Sequence, residues 1–203
     1  MASASSDLRK YKCFSTLSEE ALETLGAKFV AVDFPARTVV IRQGERGDAF
    51  YFIRSGRLEV TKMTPYGQEA KLAIITSGQG FGEMSLLTGS NRFCSVRSLT
   101  PVSLYRLPRK DFDEIVLQEA AFRKMLLKKS EEYSEYNKIK VLQPFALLEP
   151  DKMYALLARM IEKTYGLGED IVVQGERGDF YYVIRSGRGA VLQKKKGEQE
   201  TIQ

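Results

Sequence analysis

The sequence predicts an α+β chain that is mainly β: a small antiparallel β-barrel or jelly roll with flanking helices, followed by a partial second copy. Three observations carry this. Between residues 29 and 108 the short runs FVAVDF, TVVIR, AFYFIRS, RLEVTKM, KLAIIT, RFCSVRS and VSLYRLP follow one another, rich in β-branched and aromatic residues and parted by Gly, Pro, Asp and Ser turns. Apolar residues at helical spacing bracket the runs on both sides. The segment QGERGDAFYFIRSGR starting at Gln43 recurs as QGERGDFYYVIRSGR starting at Gln174, an offset of 131 residues that also pairs Phe14 with Phe145, Leu17 with Leu148 and Leu25 with Leu156.

Each element follows from local chemistry. Ser18 before Glu19 and Glu20 is a helix start, since a hydroxyl caps free amides and acids suit the positive end of the helix dipole. Leu17, Ala21, Leu22 and Leu25 then make one apolar stripe. The strands occupy residues 29–108. A helical pattern returns near Arg109 and runs to Tyr136 as one or two helices, with Phe122, Met125, Leu126, Tyr133 and Tyr136 on one face. In the second copy, Pro150 suits the first position of a helix reaching about Met160, and strands are expected over 170–174, 180–186 and 188–193. The expected division is a complete domain over 1–137 and the front part of a second domain over 138–203. The offset carries the counterpart of residues 81–95 past residue 203, so the sequence is expected to be a piece of a longer protein or to borrow strands in a domain-swapped homo-oligomer.

Composition excludes several chemistries. The 203 residues contain no His, which removes Ser-His and Cys-His nucleophile pairs and imidazole-based metal sites, so neither an enzyme nor a metal centre is expected. The two cysteines, Cys13 and Cys94, are too few and too far apart for a metal site, and free thiols imply a reducing, cytoplasmic location. No stretch is long and apolar enough to span or insert into a membrane. The formal net charge of +5 does not read as nucleic-acid binding, because basic and acidic residues are interspersed. The one basic run, Lys194 to Lys196, falls at an expected hairpin turn.

One segment breaks the strand pattern. In GQGFGEMSLLTGSNRFCSVRS, residues 78–98, Gly80 and Gly82 allow close backbone approach, and residues 83–87 have the composition of one short helical turn. Its free amides, together with the guanidinium of Arg92, would hold a phosphate. Glu83 would repel that anion unless it accepts a hydrogen bond from a neighbouring hydroxyl, as a ribose 2′-OH supplies. An apolar base would then lie against Val60, Leu72 or Ile74. The turn at residues 44–48 reads as fold alone, with Gly44 and Gly47 at positive φ.

FGEMSLLTGSNR resembles the phosphate-binding cassette of the cyclic nucleotide-binding domain family, including the Glu83-to-Arg92 spacing of eukaryotic kinase regulatory domains. VIRQGERGDAFYFIRSG and IVVQGERGDFYYVIRSG resemble the family's other signature. The resemblance implies a regulatory sensor binding cAMP or cGMP and no other cofactor. Glu83 would hold the ribose 2′-OH and Arg92 the exocyclic phosphate oxygens. The amides of Gly82, Met84 and Ser85 would make the remaining contacts beside Phe81, and Phe122, Met125 and Leu126 would form a lid. Phe93 and Cys94 depart from the small residues usual after the cassette arginine. A phenyl ring lacks the hydroxyl associated with cGMP, which favours cAMP, and the ring either stacks on the base or fills the pocket.

The expected coupling is allosteric. Nucleotide draws the Glu83 turn inward, the helix around 111–117 follows, the helix from Phe122 to Tyr136 closes over the base, and residues 131–140 carry the signal to an effector. That effector is expected in the same polypeptide, as a kinase, transporter or channel, or as a separate protein. Two other readings remain: a degenerate domain serving as a ligand-independent interaction module, and a catabolite-activator-type transcription factor. The continuation into a second barrel rather than a helix-turn-helix counts against the latter.

Overall fold

The computed structural model describes residues 8, 9, 11, 14, 15, 17–142, 145–193, 201 and 202. They form two compact units, Met1–Ala158 and Arg159–Gln203. In the first, α1 (Glu19–Lys28) starts where Ser18 Oγ accepts a hydrogen bond from the Ala21 amide at 3.2 Å. Eight strands follow: β1 (Val30–Phe34), β2 (Val39–Ile41), β3 (Ala49–Ser55), β4 (Arg57–Met63), β5 (Glu69–Thr76), β6 (Gly80–Phe81), β7 (Ser95–Ser98) and β8 (Val102–Pro108). The short helix α2 (Glu83–Thr88) interrupts them after β6. The pairing orders are β1-β8-β3-β6 and β2-β7-β4-β5, both antiparallel, which is the jelly-roll arrangement of two facing sheets.

Strand alternation divides the core in two. On β3, Ala49, Tyr51 and Ile53 join Leu58, Val96 and Leu104 between the sheets. Phe50 and Phe52 point the other way and meet Phe14, Leu25, Phe112 and Phe122 from the flanking helices. Both faces of β3 are thus buried, and each fully buried aromatic is worth on the order of 1.5–3 kcal/mol. The predicted long helical region breaks at Glu119 into α3 (Arg109–Gln118) and α4 (Ala120–Lys140). Beyond them, Lys140 Nζ donates to the carbonyls of Phe145, Ala146 and Leu148, which fixes the 3-10 turn Phe145–Leu147 ahead of α5 (Pro150–Leu157). Tyr136 donates its hydroxyl to Leu72 O at 2.9 Å and stacks on Tyr154, pinning α4 to β5 and α5.

The second unit departs from expectation. The strands expected at 170–174 and 180–186 are not formed, and of 188–193 only β9 (Leu192–Gln193) is a strand, paired with β10 (Thr201–Ile202). Its local geometry nevertheless repeats that of the first unit. Positive φ at Arg37, Gly44 and Gly56 recurs at Gly168, Gly175 and Gly187, each 131 residues on. The pairs Gln193↔Thr201 and Leu192↔Ile202 reproduce Lys62↔Ala70 and Thr61↔Lys71. Turns and the hairpin need only nearby residues. In the first unit β2 and β3 pair with β6, β7 and β8; their counterparts find no partner strands among the described residues, and Ile171, Val172, Phe180, Tyr181 and Ile184 are exposed. Cys13 and the Lys194–Lys196 run lie outside the described residues.

Limited trypsin digestion should therefore cut first among the exposed Arg159, Lys163, Arg177, Arg185 and Arg188, and leave a core fragment ending near Arg159 by mass spectrometry. First cuts within the eight-stranded unit would contradict this division.

Candidate functional site

The site is built where the turn between β2 and β3 meets the β6–α2 segment. Glycines bring the two backbones together. A Cβ on Gly80 would sit 2.4 Å from Phe50 Cζ, and one on Gly47 would sit 2.3 Å from Ser85 Oγ. Gly82 precedes α2 at φ +89°, and a Cβ there would approach Arg92 Nη1 to 2.8 Å. Phe81 stacks on Tyr51 with ring centroids 5.2 Å apart, anchoring the segment to β3.

Arg92 is the centre of this arrangement, its side chain only 4% exposed. Nη1 donates to Gly82 O at 2.7 Å and Ser85 Oγ at 3.0 Å, while Nη2 donates to Ala49 O at 2.7 Å and Asp48 Oδ1 at 3.0 Å. Asp48 bridges onward through Oδ2, which accepts from Arg106 at 2.7 Å. Burial pushes the Asp48 carboxyl up, but hydrogen bonds from Arg106 and Arg92 outweigh it and hold the group below the usual aspartate value. Arg109, at the start of α3, donates to Gly47 O and Leu86 O and so ties α3 to both the turn and α2. The turn at 44–48 is therefore part of the site as well as of the fold, because its aspartate is the counter-ion of the buried guanidinium; of its two glycines Gly44 has the expected positive φ and Gly47 does not.

Glu83 lies 5% exposed at the first position of α2 and forms no ion pair with Arg92 among the described residues. Burial pushes its carboxyl above the usual glutamate value, against a hydrogen bond from its own amide and the attraction of Lys129 and Arg92. The structure brings the expected lid to it. Phe122, Met125 and Leu126 line a cavity with Glu83, Phe14, Phe50, Gly80 and Lys129. Its volume of about 20 Å³ admits roughly one water, so α4 already closes this space and Phe122 and Leu126 are buried in the core.

Phe93 does not occupy that cavity. Lys62 Nζ sits 3.1 Å from its ring centroid, a cation–π contact. Cys94 packs against the core between the sheets, and burial, reinforced by Glu83, pushes its thiol up to about 11, so it is un-ionised and unreactive near neutral pH. Of the three expected base contacts, Val60 lies against the core between the sheets. Leu72 sits at the irregularity between β4 and β5, and Ile74 pairs with Glu59 and is exposed. Met84 and Ser85 lie in the first turn of α2.

A family model described as "Cyclic nucleotide-binding domain" matches residues 31–119. A curated relative from Candida albicans, a cAMP-dependent protein kinase regulatory subunit, is 30% identical over 94% of this chain. The chain carries a cyclic nucleotide-binding domain. It spans 39% of that relative's length. Two solved structures share the fold. The regulatory subunit of a cAMP-independent protein kinase A from Trypanosoma cruzi, bound to guanosine, has a TM-score of 0.60 at 22% identity, covering 65% of this chain and 47% of that one. The regulatory domain of Toxoplasma gondii protein kinase A with cAMP has a TM-score of 0.54 at 24% identity, covering 74% and 54%. The cyclic nucleotide-binding domain is a regulatory element, not a catalytic one.

Sequence reading missed Asp48, Arg106, Arg109, Lys62 and Lys129 within this domain. The duplicated turn carrying Asp48 was the available signal. The others are brought in from distant strands and helices, and nothing local marks them.

Replacing Gly47 with Ala should force Ser85 off the turn and lower the domain's stability by roughly 1–3 kcal/mol in chemical denaturation. An unchanged midpoint would show that the turn and α2 are not in contact.

Proposed function

We propose that the first unit is a cyclic nucleotide sensor whose phosphate anchor is Arg92 and whose ribose contact is Glu83. One observation carries the reading: a buried guanidinium and a buried carboxylate lie on one glycine-bounded segment without pairing to each other. Arg92 spends two donors on neutral acceptors, Gly82 O and Ser85 Oγ. A phosphate can take these over and gain charge-assisted bonds while Asp48 still holds Nη2. Glu83, not paired with Arg92, is available to a ribose hydroxyl. The Toxoplasma gondii neighbour holding cAMP supports a ligand of this class, whereas the Trypanosoma cruzi neighbour holds guanosine, a nucleoside without a phosphate.

Coupling runs through the lid. With about 20 Å³ beside Glu83, a nucleotide must displace Phe122, Met125 and Leu126, and α4 moves with them. Because Arg109 joins α3 to α2 and to the turn, the shift reaches α3 as well. Residues 131–140 then pass it towards an effector, either a kinase-type partner such as the relatives' names indicate or a domain of the same polypeptide. Residues 138–203 belong, in this reading, to the front of a second such domain. The reading places the protein in the cytoplasm. Among the described residues no helix is long and apolar enough to cross a membrane.

Arg92→Ala should weaken cAMP and cGMP binding about 10- to 100-fold in calorimetry, with Arg92→Lys intermediate. Equal affinity for wild type and Arg92→Ala would overturn the anchor. A proton on Glu83 opposes its role as acceptor, and its carboxyl titrates above the usual value. Affinity should therefore fall as pH drops from 7 towards 5, while Glu83→Gln binds weakly with a flat profile. An identical slope in Glu83→Gln would assign the pH dependence elsewhere.

A further inference from the structure

Lys62 is an ionisable group of the barrel wall that the cradle leaves unused. Leu58, Val60 and Lys62 alternate onto one face of β4, and the first two belong to or pack on the core between the sheets. The β4–β7 register, Val60↔Val96 then Thr61↔Ser95, brings Lys62 alongside Cys94, two residues past Arg92. Its ammonium rests 3.1 Å from the Phe93 ring centroid, and among the described residues no carboxylate forms an ion pair with it. An aromatic face holds a cation without neutralising it and leaves its N–H donors free to turn to a better acceptor.

We propose that Lys62 is a base-reading residue that selects a 6-oxopurine cyclic nucleotide over an adenine one. The inference rests on the cradle reading above: with phosphate on Arg92, the base extends along the inner wall past Val60. Guanine and hypoxanthine present two adjacent acceptors on that edge, O6 and N7. Adenine presents N7 beside an N6 amino donor, which opposes an ammonium. A lysine offers only donors, so the discrimination has one sign. Phe93 cannot supply the hydroxyl associated with guanine recognition, and Lys62, held in place by that ring, supplies a donor by another route. The cAMP preference expected from Phe93 alone is thereby reversed.

The test is calorimetry on the full chain with cGMP, cIMP and cAMP, using wild type, Lys62→Met and Lys62→Arg. Wild type should bind cGMP and cIMP about tenfold tighter than cAMP. Lys62→Met should lose that factor for both 6-oxopurines and leave cAMP within about twofold, and Lys62→Arg should keep the preference. Equal losses for all three ligands in Lys62→Met would place the ammonium on the phosphate and overturn the proposal, as would cIMP tracking cAMP in wild type, a readout that needs no variant. Wild type binding none of the three would overturn both the cradle and Lys62's role. Binding that depends on Arg92 but ignores the base would overturn Lys62's role alone.

Discussion

A single buried cation organises this domain. A guanidinium removed from water must be fully hydrogen-bonded and opposed by charge, and Arg92 meets that demand by drawing together four acceptors from three segments. Ala49 O comes from β3, Gly82 O and Ser85 Oγ from the β6–α2 segment, and Asp48 from the turn. Gly82 lets the backbone approach Arg92 and Ala49 O, and Gly47 lets the turn approach Ser85. Asp48 then passes the connection to Arg106 on β8, and Arg109 extends it to α3. Anything that changes what Arg92 donates to must therefore be felt along the helices, which is the physical requirement for a switch.

Much of the fold was legible because it is locally encoded. The Ser18 cap, the alternation on β3 and the positive-φ turns depend on residues a few positions apart. The second unit separates local from non-local information: Gly175 and Gly187 keep the turn conformations of Gly44 and Gly56, and the Leu192–Ile202 pairing keeps its register. Residues 180–186 carry nearly the same side chains as β3 yet form no strand, since strand formation requires partners that β3 has in β6 and β8. Expecting strands there treated a two-body property as a one-body one.

The site was legible in its ligands and not in its supports. Glu83, Arg92 and the bordering glycines are marked by an unusual local composition. Asp48 was visible but read as turn chemistry, because Asp is common in turns and its partner lies 44 residues away. Lys62 looks like an ordinary strand lysine until the register sets it against Phe93. Helical spacing put Phe122, Met125 and Leu126 on one face and the family resemblance implied a lid, but neither reveals that α4 already packs over Glu83.

With α4 proposed as the gate and Arg92 as the latch, hydrogen exchange read by mass spectrometry reports on both at once. Adding cGMP should slow exchange across Gly82–Thr88 and change it across Ala120–Lys140, whereas linear 5′-GMP at the same concentration should do neither. Slowed exchange in the cassette with α4 unaffected, or no response in either segment, would contradict a ligand-gated lid.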